Sequence, residues 1–110
     1  MTSKDISLLE QWIMLAILRQ HPNAYGVSIQ DEIKQRTKKE YSFGSIYAAL
    51  GRLQSAGYVD SREGEATNAR GGRRKMYFEM NGVGRAALDH VLNATEAMRP
   101  AKTKEAAHAG

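Results

Sequence analysis

Apolar side chains crowd the first third of the chain. Leu8, Leu9, Trp12, Ile13, Met14, Leu15, Ala16, Ile17 and Leu18 leave only Glu10 and Gln11 polar between them. The spacing predicts a helix over residues 8–20, ending before Pro22. A capping box opens it: the Ser7 oxygen accepts a backbone N–H three residues on, and Glu10 reaches back. Its apolar residues cover far more than one third of the circumference, whereas a helix packed on one side shows a narrower stripe. Helix 1 is therefore expected to have two dry faces, one toward its own domain and one toward a partner chain.

Pro22-Asn23 reads as a turn. Tyr25, Ile29 and Ile33 recur at spacing four and predict a second helix over residues 25–36, with Gly26 in its first turn where another helix can approach closely. Thr37-Lys38-Lys39-Glu40 is a polar connection, and Ser42 is the N-cap of a third helix. Phe43, Ile46, Leu50 and Leu53 mark its inner face, and Gly57 is a stop signal. Two strands follow, over residues 58–63 and 73–80, with Met76, Phe78 and Met80 on one face of the second. The polar loop between them contains Gly64, Gly71 and Gly72. Asn81 caps a last helix over residues 82–98, striped by Leu88, Val91, Leu92, Thr95 and Met98, and Pro100 ends it.

The fold expected from this order is mainly α with a small β-hairpin: a winged helix-turn-helix over residues 1–80, a C-terminal dimerisation helix over 81–99 and a mobile tail over 100–110. The dimer residues are Leu8, Leu9 and Trp12 on helix 1 with Leu88, Val91, Leu92, Thr95 and Met98 on the last helix. In a winged helix the third helix enters the major groove, and the hairpin tip reaches a neighbouring phosphate or the minor groove. With Ile46, Leu50 and Leu53 inward, steps of about 100° per residue put Gly44, Ala48, Gly51, Arg52 and Ser55 outward, with Ser45 and Tyr47 at the edges. Small residues let the backbone approach base edges. Arg52 reaches a phosphate or guanine, and Ser45 and Tyr47 offer hydroxyls. Ser42 and the free N–H groups of the first turn form a phosphate seat. The candidate DNA contacts on helix 3 are thus Ser42, Ser45, Tyr47, Ala48 and Arg52, with Lys38 and Lys39 ahead of it for the backbone.

Charge sharpens this reading. The chain has 16 Lys+Arg against 12 Asp+Glu, a formal net charge of +4. Arg70, Arg73, Arg74 and Lys75 lie within six positions; without these four, cations and carboxylates balance, so the loop between the strands carries the whole excess. Cations gathered where phosphates lie are what counterion release requires.

The chain contains no cysteine, which removes disulfide frameworks, thiolate nucleophiles and Cys-ligated zinc. His21, His90 and His108 have no metal-ligand spacing, and no glycine loop runs from a strand into a helix to cradle phosphate. Neither catalysis, a metal nor a cofactor is expected. No run of 18 apolar residues or signal-peptide pattern occurs, so a cytoplasmic protein without membrane contact is expected.

Taken together, Ala24-Tyr25-Gly26-Val27-Ser28-Ile29, the run Gly44-Ser45-Ile46-Tyr47-Ala48-Ala49-Leu50-Gly51-Arg52-Leu53, Gly57-Tyr58-Val59, Gly71-Gly72-Arg73-Arg74-Lys75-Met76-Tyr77 and Gly84 resemble the PadR family of bacterial transcriptional regulators over residues 8–92. The resemblance implies a dimeric winged-helix repressor that binds a palindromic operator through its third helix and wing. It also implies a dimer built from helix 1 and the C-terminal helix. Asn81-Gly82 replaces the Thr-Pro common in the family, and the single C-terminal helix resembles the short subfamily. Some short members bind planar aromatic drugs through a tryptophan on the last helix. Here the sole tryptophan is Trp12, so that mode does not transfer, and the sequence names no small-molecule effector. A second reading is a winged-helix protein-interaction module whose basic wing meets an acidic partner; steep salt dependence of DNA binding separates the two.

Overall fold

The computed structural model describes residues 5–64 and 75–101. Helix α1, Leu8–Gln20, begins with the expected capping box: the Glu10 N–H donates to Ser7 Oγ at 3.1 Å, and the Ser7 N–H donates to Glu10 Oε1 at 2.8 Å. Ile13, Met14, Ala16 and Ile17 form its inner stripe. Around it pack Ile29 and Ile33 of α2 (Gly26–Thr37) and Ile46, Ala49, Leu50 and Leu53 of α3 (Phe43–Ser55), all buried. On the other side of α1, Leu8 is exposed and Trp12 and Leu15 are half-buried along one i, i+4, i+7 stripe.

The sheet has three strands rather than a two-stranded hairpin. A short strand β1, Ala24–Tyr25, adds to β2 (Val59–Glu63) and β3 (Met76–Met80) in the antiparallel order β1-β3-β2. Periodicity cannot register a two-residue strand, and Tyr25 fits the spacing of the helix that follows. In the structure Tyr25 is extended, pairs with Tyr77 across β3, and serves as the N-cap residue of α2.

Two further expectations need correction. Phe43 is 44 % exposed, because it occupies the first position of α3, and its ring lies on Tyr47 instead of entering the core. The buried position that the pattern missed is Ala49, whose small side chain lets α3 sit close to its neighbours. Leu88 has no exposed surface, so it belongs to the core of its own chain and offers nothing to a dimer face.

A Schellman turn ends α3. The Tyr58 N–H bonds the Leu53 carbonyl at 3.0 Å and the Gly57 N–H bonds that of Gln54 at 3.0 Å, with Gly57 at φ +80°. The Tyr58 carbonyl then accepts the Asn81 N–H at 3.1 Å, while Asn81 caps the last helix, α4 (Gly82–Met98), by accepting the Gly84 N–H at 2.8 Å. One junction therefore ties the end of α3, the start of β2 and the start of α4. From it α4 leads outward: Leu88 is buried, Val91 and Leu92 are half-buried, and everything from Asn93 to Met98 is exposed, Thr95 included.

Candidate nucleic-acid interface

Helices α2 and α3 form the helix-turn-helix. Their connection begins with Lys38 in the left-handed region at φ 66°, where its N–H closes α2 onto the Lys34 carbonyl at 2.9 Å. Its ammonium returns to the Gln35 carbonyl at 3.1 Å, and Lys39 places its ammonium 5.5 Å from the centre of the Tyr41 ring. Both lysines remain exposed.

Ser42 caps α3 as expected, its Oγ accepting the Ser45 N–H at 3.0 Å and donating to Ser45 Oγ at 2.9 Å. Ser45, Ala48, Arg52 and Ser55 recur at i, i+3, i+7 and i+10, are all exposed, and share one face with no bulky side chain between them. Tyr47 stands at the other edge. Its ring lies over Gly26, edge-on to Phe78 at 6.3 Å, and the residue remains 40 % exposed, so it packs on one side and keeps the other open. Gln54 Nε2 donates to Ser61 Oγ at 2.9 Å and fixes α3 against β2.

Arg52 is less free than its position in the sequence suggests. Its Nε donates to Glu10 Oε2 at 2.8 Å, with Glu10 9 % and Arg52 47 % exposed at the side chain. Burial pushes the Glu10 carboxyl up, but hydrogen bonds from Arg52 and from Ser7 outweigh it and hold the group below its ordinary value. Glu10 therefore stays ionised beside the outward face of α3. Sequence reasoning assigned it only to the capping box; 42 positions separate it from Arg52, and no local pattern reports such a pairing.

The root of the wing is built from a row across the sheet, Tyr25, Tyr77 and Arg62, which stand opposite one another in register. Tyr25 and Tyr77 meet edge to face at 6.1 Å, and Arg62 stacks on Tyr77 at 4.8 Å while donating to the Pro22 carbonyl at 2.8 Å. The Lys75 ammonium sits 4.2 Å from the centre of the Tyr25 ring. Gly64 is buried beneath Tyr77, whose ring leaves no room for a Cβ. Sequence reasoning missed Arg62, since nothing in the alternation of β2 distinguishes it. Arg70, Arg73 and Arg74, the remaining cations expected at the wing tip, lie outside the described residues.

A family model for the transcriptional regulator PadR-like family matches residues 14–90. The chain belongs to that family. Solved PadR-like and related regulators share its fold. A transcriptional regulator from Clostridium thermocellum is 22 % identical with a TM-score of 0.69, covering 81 % of each chain. A PadR family regulator from Clostridium difficile is 18 % identical with a TM-score of 0.70, over 84 % of this chain and 91 % of that one. The Bacillus subtilis PadR structure, solved with operator DNA, is 18 % identical with a TM-score of 0.65, over 88 % of this chain and 51 % of that one. No curated protein matches significantly. The PadR-like fold agrees with the winged-helix architecture expected from the order of elements. Among the described residues no group of three or more His, Cys, Asp or Glu side chains is placed to hold a metal, and no helix is long and apolar enough to cross a membrane.

Proposed function

We propose that this PadR-like regulator is a cytoplasmic repressor that binds a palindromic operator in duplex DNA as a homodimer. The observation that carries the reading is the outward face of α3. Ser45, Ala48, Arg52 and Ser55 leave it open and low, with Ser42 at the helix start and the Lys75 root of the basic loop on the same domain. A face without bulky side chains lets the backbone come close to base edges in the major groove, and cations on the following loop provide sequence-independent attraction to phosphate. Ser42, Ser45, Tyr47, Ala48 and Arg52 are assigned to the groove, Lys38, Lys39, Arg70, Arg73 and Arg74 to the backbone, and Lys75 to the wing root, where it braces the loop on Tyr25. The operator complex of Bacillus subtilis PadR supports duplex DNA as the partner.

Residues 1–80 are the DNA-binding unit in this reading, and α4 supplies the dimer contact. Leu8, Trp12 and Leu15 on α1, with Val91, Leu92 and Met98 on α4, offer apolar surface that the chain itself leaves uncovered or half-covered. A small-molecule effector would act by altering the α1–α4 packing and so the separation of the two α3 helices. Selection of bound sequences from random duplex DNA tests the proposal. Enriched sites with dyad symmetry and half-sites about one helical turn apart support it. A single unpaired half-site removes the dimer, and no enrichment removes sequence-specific binding.

A further inference from the structure

Glu10 is the one charged side chain buried among the described residues, and both its carboxylate oxygens are engaged. Oε1 accepts the Ser7 N–H, and Oε2 accepts Arg52 Nε at 2.8 Å. The carboxylate is thereby fixed by its own helix turn, so it serves as a rigid post for Arg52 rather than a second mobile group. With Nε committed, the two terminal amino groups of Arg52 remain on a side chain that is half exposed, beside a shallow groove lined by Asp5, Glu10, Ala48, Gly51, Arg52 and Ser55.

A guanidinium held at Nε presents a planar pair of N–H donors in one orientation, the geometry that a bidentate acceptor on a base edge requires. An unrestrained arginine would serve any phosphate within reach, and the nearby negative charge of Glu10 also weakens that indiscriminate attraction. We infer that Glu10 is a positioning residue for sequence selection: it aims Arg52 at a base edge and withholds it from the phosphates. This inference rests on the DNA-binding reading above and adds a residue on α1 to the recognition apparatus of α3.

The test uses the full chain, a duplex containing its selected site and a random duplex of equal length, with affinities measured by fluorescence anisotropy at several salt concentrations. Wild type is compared with Glu10→Gln, Arg52→Lys, the double variant and Ser7→Ala. Glu10→Gln is expected to lower the ratio of selected to random affinity about tenfold, within what one aimed base contact provides, while raising affinity for random duplex. Arg52→Lys keeps the cation but loses the fork and is expected to lower the ratio to a similar extent with Glu10 intact. In the Arg52→Lys background Glu10→Gln is expected to add less than about twofold, because both changes remove one coupled interaction. Ser7→Ala weakens the cap of α1 and is expected to lower the melting temperature without changing the ratio.

Glu10→Gln that leaves the ratio unchanged, or lowers both affinities equally, overturns the inference. So does a full effect in the Arg52→Lys background, or unaltered selectivity in Arg52→Lys itself. Wild type that shows no salt-dependent binding to duplex DNA overturns the proposed function and the inference together. Wild type that binds while these comparisons fail removes the inference alone.

Discussion

The phenol ring of Tyr47 rests on Gly26, so closely that a Cβ at Gly26 would come within 2.6 Å of Tyr47 Cε2. This contact joins the first turn of α2 to the edge of α3 and holds the ring between Phe43 and Phe78. The position of a candidate DNA-contacting hydroxyl therefore depends on the absence of a side chain on the neighbouring helix.

Gly26→Ala forces the ring to move. Overpacking of this kind destabilises by about 1–3 kcal/mol, and a value near the lower end is expected because the half-exposed ring has solvent to turn into. Denaturant unfolding of Gly26→Ala, Tyr47→Ala and the double variant checks it. Once the ring is gone the three atoms nearest the added methyl group are gone with it, so the two losses should fall well short of additive. Strictly additive losses would mean that the contact is not what Gly26 is needed for.

Gly84 presents the harder case. A Cβ there would run into the backbone carbonyl of Tyr58, which is pinned by its hydrogen bond from the Asn81 N–H. Backbone cannot swing aside as a ring does, so Gly84→Ala is expected to lower stability by about 3 kcal/mol, the upper end for a packed site. Gly82→Ala is the control, since nothing lies within 4 Å of its Cβ position. Alanine there is expected to be neutral or stabilising by up to about 1 kcal/mol through helix propensity. Urea midpoints of the two variants give the comparison directly.

The helices were legible in the sequence because each carries its own punctuation. Ser7 with Glu10, Ser42, Gly57 and Asn81 act within a few residues, and the structure uses all of them as caps or stops. The outward arc of α3 follows from helix geometry once its inner face is known. What stayed hidden depends on distant partners. Strand β1 exists because Ala24 and Tyr25 meet β3. Leu88 is a core residue because it follows by one turn the buried Gly84, which lies against the Tyr58 backbone. Glu10 joins the candidate interface only because α1 and α3 pack with that turn facing Arg52. A stripe of apolar residues shows that a helix packs; it does not say whether its partner belongs to the same chain.

Acid should loosen the α1–α2 contact before the rest of the core. Glu32 of α2 binds Arg36 on its own helix, and it reaches across to Gln20 and Arg19 of α1 at 3.0 and 3.1 Å. Hydrogen bonds from Arg36, then Gln20, hold its pKa at about 2 against an ordinary 4.5. A depressed folded pKa means that the charged form stabilises the native state. That contribution is complete above about pH 4.5 and fades as pH falls toward about 2. Both arginines are half exposed, so solvent screening limits the effect to on the order of 1 kcal/mol. Glu32→Gln is expected to melt below wild type at pH 7, with the two curves converging as pH approaches 2. A constant difference across that window would place the stabilisation in packing instead.

Salt dependence separates the roles of the wing cations. Each phosphate neutralised contributes about 0.9 to the slope of log affinity against log salt. Arg73→Ala/Arg74→Ala is therefore expected to flatten that slope by nearly 2, while leaving the preferred sequence unchanged, because phosphate contacts carry no base information. Lys75 should behave differently. Its ammonium already stacks on Tyr25 at the wing root, where it holds β3 and β1 together at the base of the loop. Lys75→Ala is expected to leave the slope nearly unchanged yet to weaken binding through a displaced wing, and Tyr25→Leu should reproduce that weakening with every cation in place. Titrations of one duplex at four salt concentrations distinguish these outcomes. A double arginine variant with the wild-type slope would take the wing tip out of DNA binding, and a Lys75→Ala slope change as large as that of an arginine would make Lys75 a phosphate ligand rather than a brace.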